Sequence, residues 1–207
     1  MNFNRKFLWV LFFGSMIGLI ETLIGSINLP YRSVVLSTIT LTLLSLSRYY
    51  LPKKGTSLFI IIIAVMFRIN CVGIQTCTTN VFLCGPTALL LLGIGYEVFA
   101  SIFISSNAYR FFNYLLTCAI TSLVVFSIYA VLQTNILKSW DTTRQIDYIF
   151  VRGSLTAIFS GTFTVLVLYI ARHFGQFGFA KINPYFRSGI LISVIIASWV
   201  VGSYITF

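Results

Sequence analysis

Seven apolar stretches follow one another along this chain, at about 7–27, 33–51, 57–73, 84–105, 111–136, 149–171 and 188–206, with short polar breaks between them. A bilayer's hydrocarbon core is about 30 Å thick, and roughly 20 helical residues cross it. In lipid every backbone amide must find its partner within its own helix or a closed barrel. Runs of this length therefore predict an all-α, polytopic transmembrane helical bundle, a single integral membrane domain over residues 1–207. The third run is the shortest, so six spans plus one irregular segment stands as an alternative to seven. Composition agrees. Only 9% of the residues are charged and 58% are hydrophobic, whereas ordinary soluble domains carry about 25% charged residues. A water-facing surface cannot be covered with so few charges.

The net charge of +10 points in a soluble protein to nucleic acid. Here the basic residues fall between apolar runs, and no continuous basic face interleaved with aromatics exists, which argues against nucleic-acid binding. Orientation in the bilayer is the simpler use. With the N-terminus inside, Arg5, Lys6, Arg48, Lys53, Lys54, Arg110, Arg172, Lys181 and Arg187 lie inside, against Arg32, Arg68, Lys138, Arg144 and Arg152 outside. The bias of nine to five favours a cytoplasmic N-terminus in a multi-pass protein of the cytoplasmic membrane. Asn4-Arg5-Lys6 before an apolar run imitates a signal peptide. However, Glu21 interrupts that run and no small-x-small site follows, so the run reads as a retained first helix.

Glu21 and Glu97 are two of only four acidic residues, and both lie inside apolar runs. A charged side chain at the bilayer centre costs roughly 2.5–3.5 kcal/mol on insertion scales, so such residues face a cavity or a partner. Arg32 in the first outer loop and Arg68 near the outer end of the third run are the cations in reach. The orientation above places Glu21, Arg32, Arg68 and the cysteine-bearing second outer loop on one side, with Glu97 about four turns into the fourth run. Three uses are open: contact with a small ligand, proton relay, or an ion pair that holds the bundle together.

Cys71, Cys77 and Cys84 are spaced C-x5-C-x6-C. Three thiolates can take a soft metal with a fourth ligand, form a disulfide in an oxidising compartment, or pack as apolar side chains. The spacing fits no compact zinc pattern, and the lone His173 falls on the inner side. Cys118 reads as plain packing. No G-x-S-x-G, H-E-x-x-H or P-loop is present. A hydrolytic enzyme is therefore disfavoured, and energised transport needs a separate motor or an ion gradient. No cofactor follows from the residues. Gly14 and Gly18 share one helix face, as do Gly153, Ala157 and Gly161, and Gly189, Ser193 and Ala197. Small residues four apart let helix backbones approach closely, either within the chain or, for the first helix, against another subunit. The aromatic, turn-rich segment at 176–185 reads as an interfacial loop.

Gly18-Leu-Ile-Glu21-Thr-Leu-Ile-Gly25, the break at Pro52-Lys-Lys-Gly55, Pro86-Thr-Ala-Leu and Gly95-Tyr-Glu97 together resemble the substrate-binding S components of energy-coupling factor transporters. The resemblance spans roughly the first half of the chain. It implies a compact bundle of about six helices that binds a vitamin-like or other small substrate near its outer ends, with the 28–33 loop as part of a lid. It also implies a transmembrane coupling subunit with paired ATPases as partners, docked here on Gly14 and Gly18. Glu21, Arg68 and Glu97, with Arg32 beside them, are the expected ligand contacts. The rival expectations are a membrane enzyme using Cys71, Cys77 and Cys84 for redox or metal chemistry, and a non-catalytic subunit of a larger membrane complex.

Overall fold

A computed structural model describes residues 3–27, 29–72, 79–104, 110–136, 140–177 and 184–205, with side chains at 6–25, 27, 29–70, 85–104, 111–135, 140–173 and 188–204. The described residues are almost wholly helical, with no strand among them. The helices are α1 (Phe3–Ser26), α2 (Arg32–Tyr50), α3 (Thr56–Val72), α4 (Thr79–Phe103), α5 (Arg110–Val131), α6 (Thr142–Ile146), α7 (Ser154–Phe177) and α8 (Pro184–Ile205). A π-helical turn, Leu132–Ile136, extends α5, and a second, Asp147–Gly153, joins α6 to α7.

Among the described residues, four helical stretches are long and apolar enough to cross a membrane: Lys6–Gly25, Gly85–Phe103, Phe111–Asn135 and the continuous Thr142–His173. Thr56–Asn70 and Ser188–Tyr204 are shorter apolar helices. The outside of the bundle is apolar as well, with Phe59 and Ile158 each 65% exposed and Phe150 69%. Contiguous apolar patches on soluble monomers rarely exceed a few hundred Å², so this surface belongs in lipid. The chain is a helical membrane bundle.

Two expected boundaries move. The fourth helix starts at Thr79 rather than near 84, and the expected 149–171 run is preceded by a further helical stretch from Thr142. Asp141 explains the second shift: its side chain accepts the Arg144 N–H at 3.1 Å, the usual way an Asp caps a first helical turn.

α2 is the least apolar long helix, yet it sits centrally, in contact with α1, α3, α4, α5 and α7. Its buried face carries Ser37, Thr40, Thr42, Ser45 and Ser47. Hydroxyls cannot face lipid cheaply, so they turn inward and bond across helices. Thr42 donates to the Thr38 carbonyl at 2.8 Å, and Thr164 of α7 donates to Thr42 at 3.3 Å. Cys118 of α5 lies 3.5 Å from the Thr164 hydroxyl and 3.2 Å from that of Ser45. Since the Thr164 proton is already committed, Cys118 must donate to Thr164 and Ser45 to Cys118. One directed chain thus runs Ser45, Cys118, Thr164, Thr42, Thr38 carbonyl, and Cys118 is a hydrogen-bonded link rather than plain filler.

α1 and α3 run parallel and very close. A Cβ added at Gly14 would lie 2.7 Å from Ile63 Cβ, and one at Gly18 would lie 2.6 Å from Phe67 Cβ. The glycine face of α1 is therefore taken up by α3 within the chain, and docking of another subunit on Gly14 and Gly18 does not fit this packing. Phe67 is held in turn by Trp199 of α8, with ring centroids 4.8 Å apart.

Candidate functional site

The close approach that sets Gly14 on Ile63 and Gly18 on Phe67 also brings Glu21, nearly one turn beyond Gly18, within reach of the long side chain of Arg68, the residue after Phe67. Arg68 Nη1 donates to Glu21 Oε2 at 2.5 Å; the carboxylate side chain is 7% exposed and the arginine 20%. Room for the guanidinium comes from a glycine of α4. A Cβ at Gly85 of α4 would lie 2.5 Å from Arg68 Cζ, and one at Gly25 of α1 3.9 Å from Nη2. The Gly before Pro86 in α4 therefore makes the space for this side chain, while Gly25, at 3.9 Å, only lies in ordinary contact range. Arg32, the first residue of α2, reaches back so that Nη1 donates to the Gly25 carbonyl at 2.7 Å. Glu21, Arg32 and Arg68 thus gather at one end of the bundle, Arg68 paired with the carboxylate and Arg32 exposed at the rim on the Gly25 carbonyl.

Glu97 does not join them. It accepts the Gly55 N–H at 2.7 Å and the Ser57 N–H at 3.2 Å, and Arg48 Nη1 lies 3.3 Å from Oε1. Arg48 also donates to the Lys53 carbonyl. Gly55, in a left-handed conformation at φ 85°, turns the chain so that two amides at the start of α3 point at this carboxylate. Glu97 is thus a helix cap supplied from another helix, placed where the exposed amides carry partial positive charge. Ser57 and Arg68 stand eleven residues apart in α3, about 16 Å of helix. The expectation that Glu97 shares a site with Glu21 is corrected on that distance. With α4 starting at Thr79, Glu97 is eighteen residues in, about 27 Å, and so at its far end.

The end that holds Glu21 also carries an aromatic cluster that sequence reasoning missed. Trp140 and Tyr148 have ring centroids 4.7 Å apart, and Tyr129 lies 5.7 Å from each. Arg144 stands over Trp140 at 4.9 Å, while Arg152 lies 5.7 Å from both Tyr148 and Tyr31 and 3.1 Å from Asp147. Asp141 before Thr142 was the available signal, because an N-cap there starts a helix that brings these rings over α5. Cys77 lies outside the described residues, as do the side chains of Cys71 and Cys84.

Comparison of the chain with protein-family models, with curated proteins and with solved structures gives no match.

Proposed function

We propose that this chain is a substrate-binding membrane subunit for small-molecule uptake, of the S-component kind. In this reading it spans the cytoplasmic membrane with its N-terminus inside, and the Glu21–Arg32–Arg68 end faces out. The observation that carries it is the charge at that end: Arg68 neutralises Glu21, and Arg32 beside them adds one positive charge at the exposed rim. Arg32 is exposed and bonded to the Gly25 carbonyl rather than to a carboxylate, so its charge is available for charge-assisted bonds to an anion, and the expected ligand is a small organic anion, a carboxylate or phosphate. Glu97 is already satisfied by Arg48 and two amides, and is not counted as a contact. A transmembrane coupling subunit and its ATPases remain the proposed partners, on a surface other than Gly14 and Gly18.

The test is native mass spectrometry of the full chain purified in mild detergent from its own host, with released small molecules identified. A stoichiometric organic anion is expected. Arg32→Gln is expected to weaken its binding about tenfold, the size of one charge-assisted contact. A cationic ligand, no ligand, or unchanged affinity in Arg32→Gln would overturn the assignment.

A further inference from the structure

A second feature at the same end lies apart from the Glu21–Arg68 pair. Between α2 and α7 runs a groove of about 350 Å³, bounded by Tyr31, Val35 and Ile39 on one side and Leu155, Phe159 and Phe163 on the other. Thr38 and Tyr31 are the only hydroxyl-bearing residues on its lining. Its walls cover 31–39 on one helix and 155–163 on the other, each about 12 Å of helix. Both helices begin at this end, so the slot lies along their axes with its mouth at their first turns. It opens sideways to the bundle's apolar exterior, since Val35 is 38% exposed, Phe159 55% and Phe163 50%.

The mouth is positive. Arg32 opens α2, and Arg152 lies 5.7 Å from the Tyr31 ring with Asp147 as its partner; with the Arg68–Glu21 pair of the same end these make three cations to two acids, Arg32 supplying the excess. The first turn of α2 has no side-chain cap, because Tyr31 sits in a left-handed conformation at φ 54° and makes no capping bond. The Val34 and Val35 amides donate to the Tyr31 carbonyl, so the amides of Arg32 and Ser33 are the ones placed to attract an anion.

We propose that an anionic glycerophospholipid occupies this groove, one acyl chain between α2 and α7 and its phosphate against Arg152 and the start of α2. A partner helix would bury side chains in this open trough but would leave the positive mouth unanswered, whereas a lipid fills the apolar trough with its chain and meets the mouth with its phosphate. A chain lying along the helix axes, with its charge at their ends, has the orientation of a bilayer lipid. A soluble anion accounts for the positive mouth but not for the apolar slot beneath it.

The experiment titrates the detergent-purified full chain with palmitoyl-oleoyl phosphatidylglycerol and, separately, with the matching phosphatidylcholine, and reads adducts by native mass spectrometry. One saturable adduct is expected, with the anionic lipid favoured about tenfold. Val35→Trp, a substitution at the half-exposed rim, is expected to remove that adduct while the thermal midpoint holds. Arg152→Gln is expected to keep chain binding and reduce the headgroup preference to about twofold or less. Equal binding of the two lipids by the unaltered chain overturns the proposal. So does an adduct that survives Val35→Trp, or a dimer that Val35→Trp dissolves in place of a lipid adduct.

Discussion

Gly18→Ala tests how α1 and α3 are held together. The added methyl would lie 2.6, 2.7 and 2.8 Å from Cβ, Cγ and Cδ1 of Phe67, about 1 Å inside ordinary carbon contact. Phe67 cannot turn away, because it is fully buried and Trp199 stands against it. The strain therefore falls on the helix separation. Overpacking of this kind costs about 1–3 kcal/mol, and the upper half applies where the clash involves the root of a buried ring. With about 2–4 °C per kcal/mol for a chain of this size, the midpoint should fall by about 4–12 °C. Gly189→Ala is the control. Nothing lies within 4 Å of that position in α8, so it should gain about 0.5–1 kcal/mol from helix propensity alone. The assay is thermal unfolding followed by circular dichroism in one detergent for all three proteins. A Gly18→Ala midpoint within about 1 °C of the unaltered chain would refute the packing argument and return this face to docking another subunit.

Other substitutions separate structure from ligand contact. Glu97→Gln puts an amide donor against the Ser57 N–H and leaves Arg48 without its countercharge, so stability should drop by about 3 kcal/mol with ligand affinity unchanged; unaltered denaturation would mean that the cap contributes nothing. Arg32→Gln should do the reverse, losing ligand while its unfolding free energy stays within about 0.5 kcal/mol, as read in parallel binding and melting experiments. Cys118→Ser keeps a donor and an acceptor in the directed chain, whereas Cys118→Val leaves Ser45 and Thr164 without their shared partner. The valine variant should therefore melt below the serine variant by about 1–3 kcal/mol, and equal midpoints would show that the chain is incidental.

The helices were legible because bilayer thickness fixes run length, and short polar breaks mark where runs end. The Glu21–Arg68 site was half legible: few acids lie in the apolar runs, so Glu21 stood out, but Arg32 and Arg68 were equally available as partners. Glu97 was misplaced because the helix that carries it starts five residues earlier than the apolar run suggests, and depth in a helix is counted from its start. Cys118 bonds to residues 73 and 46 positions away in the chain, so no local pattern could mark it. The α2–α7 groove was illegible for a different reason: in a membrane protein a valine that faces lipid and one that lines a slot read the same.

The cap on α3 bears on how the molecule is made. Gly55 and Ser57 precede the carboxylate that satisfies them by 42 and 40 residues, and synthesis runs from the N-terminus. While α3 is emerging, the Gly55 and Ser57 amides lack the carboxylate that takes them and Arg48 has the Lys53 carbonyl but not its countercharge, and α3 is also one of the shorter apolar helices. Only when α4 has followed it out does Glu97 arrive at the right end. The two helices are therefore complementary as an inserted pair, and α3 on its own is an unfinished helix until its neighbour is in the membrane.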